Sequence, residues 1–167
     1  MERNDSDMKT YERAFVDTPL GTAEIVGDDE GIVSISVSDQ QQETFGEIPD
    51  ALVECARQLQ QYFEGSRTSF SLKLKPEGTA FQQEVWKELL NIPFGKTSTY
   101  LKQSVKLGNE KAIRAVASAN GKNPIWIIIP CHRVIGTDGS LTGYAGGLWR
   151  KKWLLEHENP LKQTSLF

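Results

Sequence analysis

Cysteine and histidine are scarce in this chain, at two residues each in 167, and no stretch approaches the roughly 18 apolar residues that a membrane-spanning helix needs. With only Cys55 and Cys131 present, a disulfide framework is not expected and both thiols read as free. C-x-x-C and H-x-x-H pairs are missing, which leaves little from which to build a zinc site. The opening residues, MERNDSDMKTYER, are charged and polar and show no secretory signal, so the expectation is a cytoplasmic protein without a membrane span. Repeats and low-complexity tracts are absent too. What remains is a length that suits one domain, or two small ones sharing an interface, and a hydrophobic content of 38% that supports a core.

Each half of the chain is short of one sign of charge, although the net charge is only −3. Residues 1–75 hold 15 acidic and 7 basic side chains, a net of −8. Residues 95–152 hold 10 basic and 2 acidic ones, a net of +8. A segment that basic attracts polyanions and releases their counterions, and an acidic partner segment helps orient the encounter. A plain solvated lysine-rich surface is the alternative reading.

The pattern of elements predicts an α+β chain with a boundary near residues 75–80. Before it, YERAFVDTPLGTAEIVGDDEGIVSISVSD reads as β-runs joined at Thr18-Pro19-Leu20-Gly21 and at Gly27 to Gly31, the signature of consecutive hairpins. In PDALVECARQLQQYFEG, Leu52, Cys55, Ala56, Leu59, Tyr62 and Phe63 recur at helical spacing, with Asp50 as the expected cap and Gly65 as the stop. Cys55 is on that apolar stripe and is expected in the core. FSLKLK alternates like one more strand before Pro76-Glu77-Gly78. Residues 1–76 are thus expected to form a small antiparallel sheet domain with a helix, residues 77–160 a mainly helical C-terminal domain, and residues 161–167 a tail.

In the second segment, Thr79 is the expected N-cap of AFQQEVWKELLNI, whose Phe81, Val85, Trp86, Leu89 and Leu90 form one apolar face. STYLKQSVKLG and NEKAIRAVASANGKN read as two short helices joined through Gly108-Asn109, with Asn109 capping and Gly121 stopping the second: a helix-turn-helix pattern. That pattern is common in purely structural bundles. The second helix, however, combines Lys111, Arg114 and Lys122 with small residues at Ala112, Ala115, Ala117 and Ser118, which would let its backbone approach a groove closely, and this favours nucleic acid.

The run PIWIII reads as a buried strand that Pro130 must end, presenting Cys131 beside His132 and Arg133. Such a thiol could be a nucleophile, a metal ligand or an ordinary buried cysteine. Nearby positive charge would favour the reactive thiolate, yet neighbours on an extended chain point to opposite sides. Downstream, Gly143, Gly146 and Gly147 around Tyr144 suit either a plain turn or a clamp over a flat ring, and lead into a helix that ends at Glu156, His157 and Glu158.

Taken together, FGKTSTY, NEKAIRAV, GKNPIWIIIPCHRVIG, GYAGG and KKWLLEHE, in that order, resemble the 6-O-alkylguanine-DNA alkyltransferases over residues 79–158. Residues 10–75 agree more loosely with that family's ribonuclease-H-like N-terminal domain. The resemblance implies repair by direct reversal, with one alkyl group transferred irreversibly from 6-O-alkylguanine in double-stranded DNA to Cys131, without a cofactor, by a protein acting as a monomer. His132 would activate the thiol through a water, Glu158 would orient His132, Asn123 would brace the turn, and Tyr100 would protonate the leaving base. Arg114 would replace the flipped nucleotide while Ala115, Lys111 and Lys122 help hold the minor groove. Val134, Trp126, Tyr144, Ala145 and Lys151 would surround the base. The implied setting is the chromosomal DNA of a prokaryotic cytoplasm, with 4-O-alkylthymine as a possible second substrate.

Two departures from the family pattern stand out. Residues 1–75 contain no histidine and only Cys55, so the structural zinc of some members is not expected here. Ala145 replaces a hydroxyl residue found in others, and the bulk of Trp126 suggests poor acceptance of groups as large as benzyl. The final KQTSLF reads either as a disordered tail or, through Gln163, Leu166 and Phe167, as a short peptide that docks on a sliding clamp. Competing readings are a non-catalytic alkylguanine-recognition protein, which Cys131 opposes, and a cysteine hydrolase, which would turn over repeatedly and need no basic helix pair.

Overall fold

The computed structural model describes residues 10–40 and 46–159. Three antiparallel strands open the fold, β1 (Glu12–Thr18), β2 (Gly21–Asp28) and β3 (Gly31–Ser38), in the order β1-β2-β3 with a bulge between Val26 and Gly27. Alternation along β1 buries Ala14 and Val16 on one face, where α1 (Asp50–Glu64) packs Leu52, Cys55, Leu59 and Tyr62 against the sheet. Gly65 ends α1 in the left-handed conformation at φ 87°, as expected of that residue. Asp50 is not the cap: it is the first helical residue, and Pro49 before it makes no side-chain bond to the turn.

FSLKLK does not become a strand. It alternates in burial but meets the sheet at a single parallel bridge, Ile32 with Leu74, through hydrogen bonds of 2.8 and 2.7 Å, and Pro76 then has no N–H with which to extend the ladder.

The second half begins with α2 (Ala80–Leu89), whose N-cap Thr79 and Gln82 satisfy each other's backbone reciprocally. Val85, Trp86 and Leu89 are buried as expected, whereas Phe81 and Leu90, at the ends of the same stripe, are 38% and 48% exposed. A two-residue strand β4 (Ser98–Thr99) precedes α3 (Tyr100–Lys106), which Thr99 caps. Gly108 turns the chain at φ 85°, Asn109 caps a short 3-10 turn at Glu110–Ala112, and α4 (Ile113–Gly121) follows, with Gly121 as its last residue and not its stop. Gln103 and Asn120 exchange two amide hydrogen bonds of 3.0 and 2.8 Å between α3 and α4, and the Trp86 indole N–H donates to the Ala119 carbonyl at 2.8 Å. Buried polar groups satisfied in this way fix the helix pair to α2.

Two connections aim both halves at one point. β4 pairs in parallel with β5 (Val134–Ile135), which sets the start of α3 beside the PCHR segment. Ile35 of β3 bridges Ile125, so the N-terminal sheet holds the other side of the same segment. The last helix, α5 (Leu148–Glu158), closes over both. Residues 160–167 lie outside the described residues, and the Gln163, Leu166 and Phe167 expectation lies there with them.

Candidate active site

PIWIII is a turn and not a strand. Asn123 closes it: the side-chain oxygen accepts from the Ile125 N–H at 2.9 Å, and Nδ2 donates to the Ile129 carbonyl at 2.8 Å and to Cys131 Sγ at 3.2 Å. Ile127 is forced to φ 74°, costly for a β-branched residue and tolerated only because the surroundings fix it. The β propensity of the isoleucines is satisfied by burial instead of by a ladder. Pro130 then caps a 3-10 turn, Cys131–Arg133, whose three residues are all buried.

On the inner side, His132 is fully buried, with Nε2 2.7 Å from Glu158 Oε2. Arg133 clamps the same carboxylate, Nε donating to Oε1 at 2.7 Å and Nη2 to Oε2 at 3.0 Å, while Nη1 donates to the Ile92 carbonyl at 2.7 Å. Burial would raise the Glu158 carboxyl, but the bonds and charges of His132 and Arg133 overcome it and hold it at about 2. Burial pushes His132 the other way, below its ordinary value and towards the neutral ring, against the pull of Glu158. An ionised carboxylate can only accept, so the neutral ring carries its proton on Nε2. Nδ1 is left with a free lone pair and no partner among the described residues.

On the outer side, Cys131 forms the floor of a cavity of about 450 Å³ walled by Tyr100, Ile113, Arg114, Ala117, Asn120, Gly121, Thr142, Gly143, Tyr144 and Ala145. Burial raises the thiol to about 11, opposed by the Asn123 hydrogen bond and the Lys151 charge, so it is protonated at neutral pH and needs a base. Tyr100 donates to the Thr142 carbonyl at 2.9 Å. Gly146 allows the loop its close approach: a Cβ there would lie 2.9 Å from Tyr144 and 3.0 Å from Trp126.

Of the residues expected around the site, Cys131, Tyr100, Arg114, Tyr144 and Ala145 wall the cavity, and His132, Asn123 and Glu158 stand behind it. Lys111, Ala115 and Lys122 are exposed on the α4 side without lining it. Trp126 is not among the residues walling the cavity and packs against Tyr144, which is, at 5.7 Å between ring centres. Val134 is buried beneath the turn. Lys151 is a fully buried tether, its Nζ donating to the Thr142 and Gly143 carbonyls at 2.8 and 3.2 Å, and burial lowers it to about 8.

Three participants were not visible in the sequence. Arg150 joins the loop to the N-terminal sheet, donating to the carbonyls of Gly146 and Leu20 and to the Asp39 carboxylate at 2.9, 3.0 and 2.7 Å. Arg133 and Tyr62, whose hydroxyl donates to Glu158 at 2.6 Å, complete the shell of that carboxylate. The PCHR string pointed at Arg133 only as a source of charge, and the helical stripe placed Tyr62 only in the core.

A single buried thiol, backed by an imidazole–carboxylate relay and opening into a cavity walled by the second helix of a helix-turn-helix, defines a protein that acts on one group of a bound ligand through cysteine. Comparison with known proteins places it more closely. Residues 80–160 match the 6-O-methylguanine DNA methyltransferase DNA-binding domain, and residues 11–76 match the ribonuclease-like domain of the same enzymes. The methylated-DNA–protein-cysteine methyltransferase of Methanosarcina acetivorans is 46% identical over 152 residues, covering 87% of this chain and 96% of the relative, and that of Mycobacterium leprae is 44% identical over 155 residues, covering 90% and 94%. The crystal structure of Mycobacterium tuberculosis OGT in complex with DNA superimposes with a TM-score of 0.79 at 41% identity, covering 93% of this chain and 99% of that one. The chain belongs to the 6-O-methylguanine DNA methyltransferase family.

Proposed function

We infer that this protein repairs DNA by taking the alkyl group of 6-O-alkylguanine onto Cys131, once per molecule. The observation that carries the reading is the geometry of Cys131: a thiol lining a cavity of about 450 Å³, next in the same turn to a buried imidazole whose Nδ1 is free and whose Nε2 is bonded to Glu158. His132 Nδ1 takes the thiol proton through one water. Sγ then attacks the alkyl carbon, the S–C bond forms as the C–O6 bond breaks, and Tyr100 supplies a proton to the departing guanine. No group in the site can cleave the resulting thioether, so each chain acts once.

The reaction requires the nucleotide to leave the duplex, since an embedded thiol cannot reach a base edge inside the stack. Arg114, exposed on the rim of the cavity, fills the gap, and Lys111, Ala115 and Lys122 on the same side of α4 hold the minor groove without reading sequence. Residues 77–160 supply the DNA-binding and acceptor unit, and residues 1–76 hold it from behind. One chain is sufficient for this chemistry. Clamp binding through Gln163, Leu166 and Phe167 is a separate proposal, refuted if deleting residues 163–167 leaves clamp affinity unchanged.

Incubation with duplex DNA carrying labelled 6-O-methylguanine tests the function. One label per chain, with plain guanine left in the DNA, is expected. Binding without label transfer indicates a recognition protein, and repeated release of product without an adduct indicates a hydrolase.

A further inference from the structure

One side chain of the N-terminal unit reaches the reacting relay. Tyr62 is buried on α1, and its hydroxyl lies 2.6 Å from Glu158 Oε2, across 96 residues of chain. The same oxygen accepts from His132 Nε2 at 2.7 Å and from Arg133 Nη2 at 3.0 Å, while Oε1 takes Arg133 Nε at 2.7 Å. Three donors therefore converge on Oε2 and one on Oε1, and together they fix the plane of the carboxylate. The phenol is itself held. Phe63, Phe94 and His157 stand edge-on to it at 5.2, 6.2 and 5.0 Å, and the Tyr62 backbone carbonyl is 2.7 Å from His157 Nε2. A phenol that merely needed a partner in the core could have taken a carbonyl; this one takes the oxygen that orients the base.

We propose that Tyr62 is a positioning residue of the transfer reaction, its hydroxyl fixing the Glu158 carboxylate so that His132 keeps its proton on Nε2 and its Nδ1 lone pair free to act as base. The inference rests on the reading of Cys131 as acceptor. It makes the N-terminal unit part of the reacting centre and more than a scaffold. Tyr62 also draws negative charge away from Oε2. Without that donor the carboxylate charge falls more heavily on His132, which then holds a second proton more tightly. Among the described residues, Arg133, Lys151, Tyr144 and His157 are the other charged and titratable groups that face the pair, and Tyr62→Phe leaves every one of them in place.

The chain contains only two histidines, so ring-nitrogen NMR separates the His132 signals from those of His157. In Tyr62→Phe the His132 midpoint is expected to rise by roughly half a pH unit or more, and the acid limb of the transfer rate to rise with it. The His157 ring signals should keep their wild-type chemical shifts, because its bond is to a backbone carbonyl that Phe retains. DNA affinity should not change. An unmoved His132 beside an unmoved His157 overturns the proposal. So does a joint shift of both rings, which would mean that the α1 packing had moved. Phe70→Leu loosens the same cluster, 5.6 Å from Tyr62, without touching Glu158, and a His132 shift there equal to that in Tyr62→Phe also overturns it. A wild-type protein that takes no label from lesion DNA refutes the function instead, and the His132 titration still decides whether Tyr62 fixes the relay.

Discussion

The surroundings of Cys55 and of Cys131 are almost equally closed to solvent, leaving the two residues 1% and 8% exposed, yet they produce different thiols. Around Cys55 there is only the packing of α1 on the sheet, and burial drives the thiol up to about 12 with nothing to oppose it. Around Cys131 burial acts in the same direction, to about 11, but Asn123 donates to the sulfur and Lys151 adds a charge, while His132 in the same turn is bonded to Glu158 at the end of α5. Burial by itself makes a cysteine inert. Reactivity here comes from placing a base and a ligand cavity beside one buried sulfur.

The sharpest way to break the comparison is to remove the sulfur itself. Cys131→Ala should abolish alkyl transfer while lesion DNA still binds, measured by label uptake and by gel shift. Next comes the relay. Glu158→Ala leaves Arg133 buried without its carboxylate, and chemical denaturation should show a loss of about 3–5 kcal/mol. His132→Gln removes the base and should slow transfer by about 10²–10⁴-fold with DNA affinity retained, in single-turnover kinetics.

Acid acts on the same two groups. Buried His132 binds its proton more weakly folded than unfolded, so as pH falls below the ordinary value of about 6.5 the unfolded chain takes up the proton first and stability drops, and the folded base is lost only at a lower pH still. The transfer rate should therefore fall on the acid side of pH 6.5 and not above it. Glu158, held at about 2, contributes stability that is full above the ordinary carboxylate value of about 4.3 and is lost as pH falls from there towards 2, which thermal melts against pH would follow. The smallest effect belongs to the inert thiol: Cys55→Ala should cost about 1–2 kcal/mol and leave the transfer rate at the wild-type value.

The difference between the two cysteines was partly legible in the sequence. Cys55 sat on a helical stripe, and the structure puts it in the core as that spacing predicts. Cys131 was marked by the proline before it and by the resemblance of its neighbours to a family. The form of its support was not legible. PIWIII has strand composition, but Asn123 folds it into a turn by bonds within seven residues, and propensity carries no record of such a side-chain clasp. Trp126 looked like a pocket wall from its bulk and proximity, and only packing shows it against Tyr144 and not among the walling residues. Tyr62, Arg150 and Arg133 act over separations of 25 to 130 residues, where periodicity can place a residue inside but cannot name what it meets.

The most direct measurement is to digest the labelled protein after reaction with DNA carrying 6-O-methylguanine and to locate the methyl group by mass spectrometry. The peptide containing Cys131 should hold one methyl on sulfur and the peptide containing Cys55 none. A methyl group on Cys55, or on neither cysteine while the lesion disappears, would contradict the assignment of Cys131 as the acceptor.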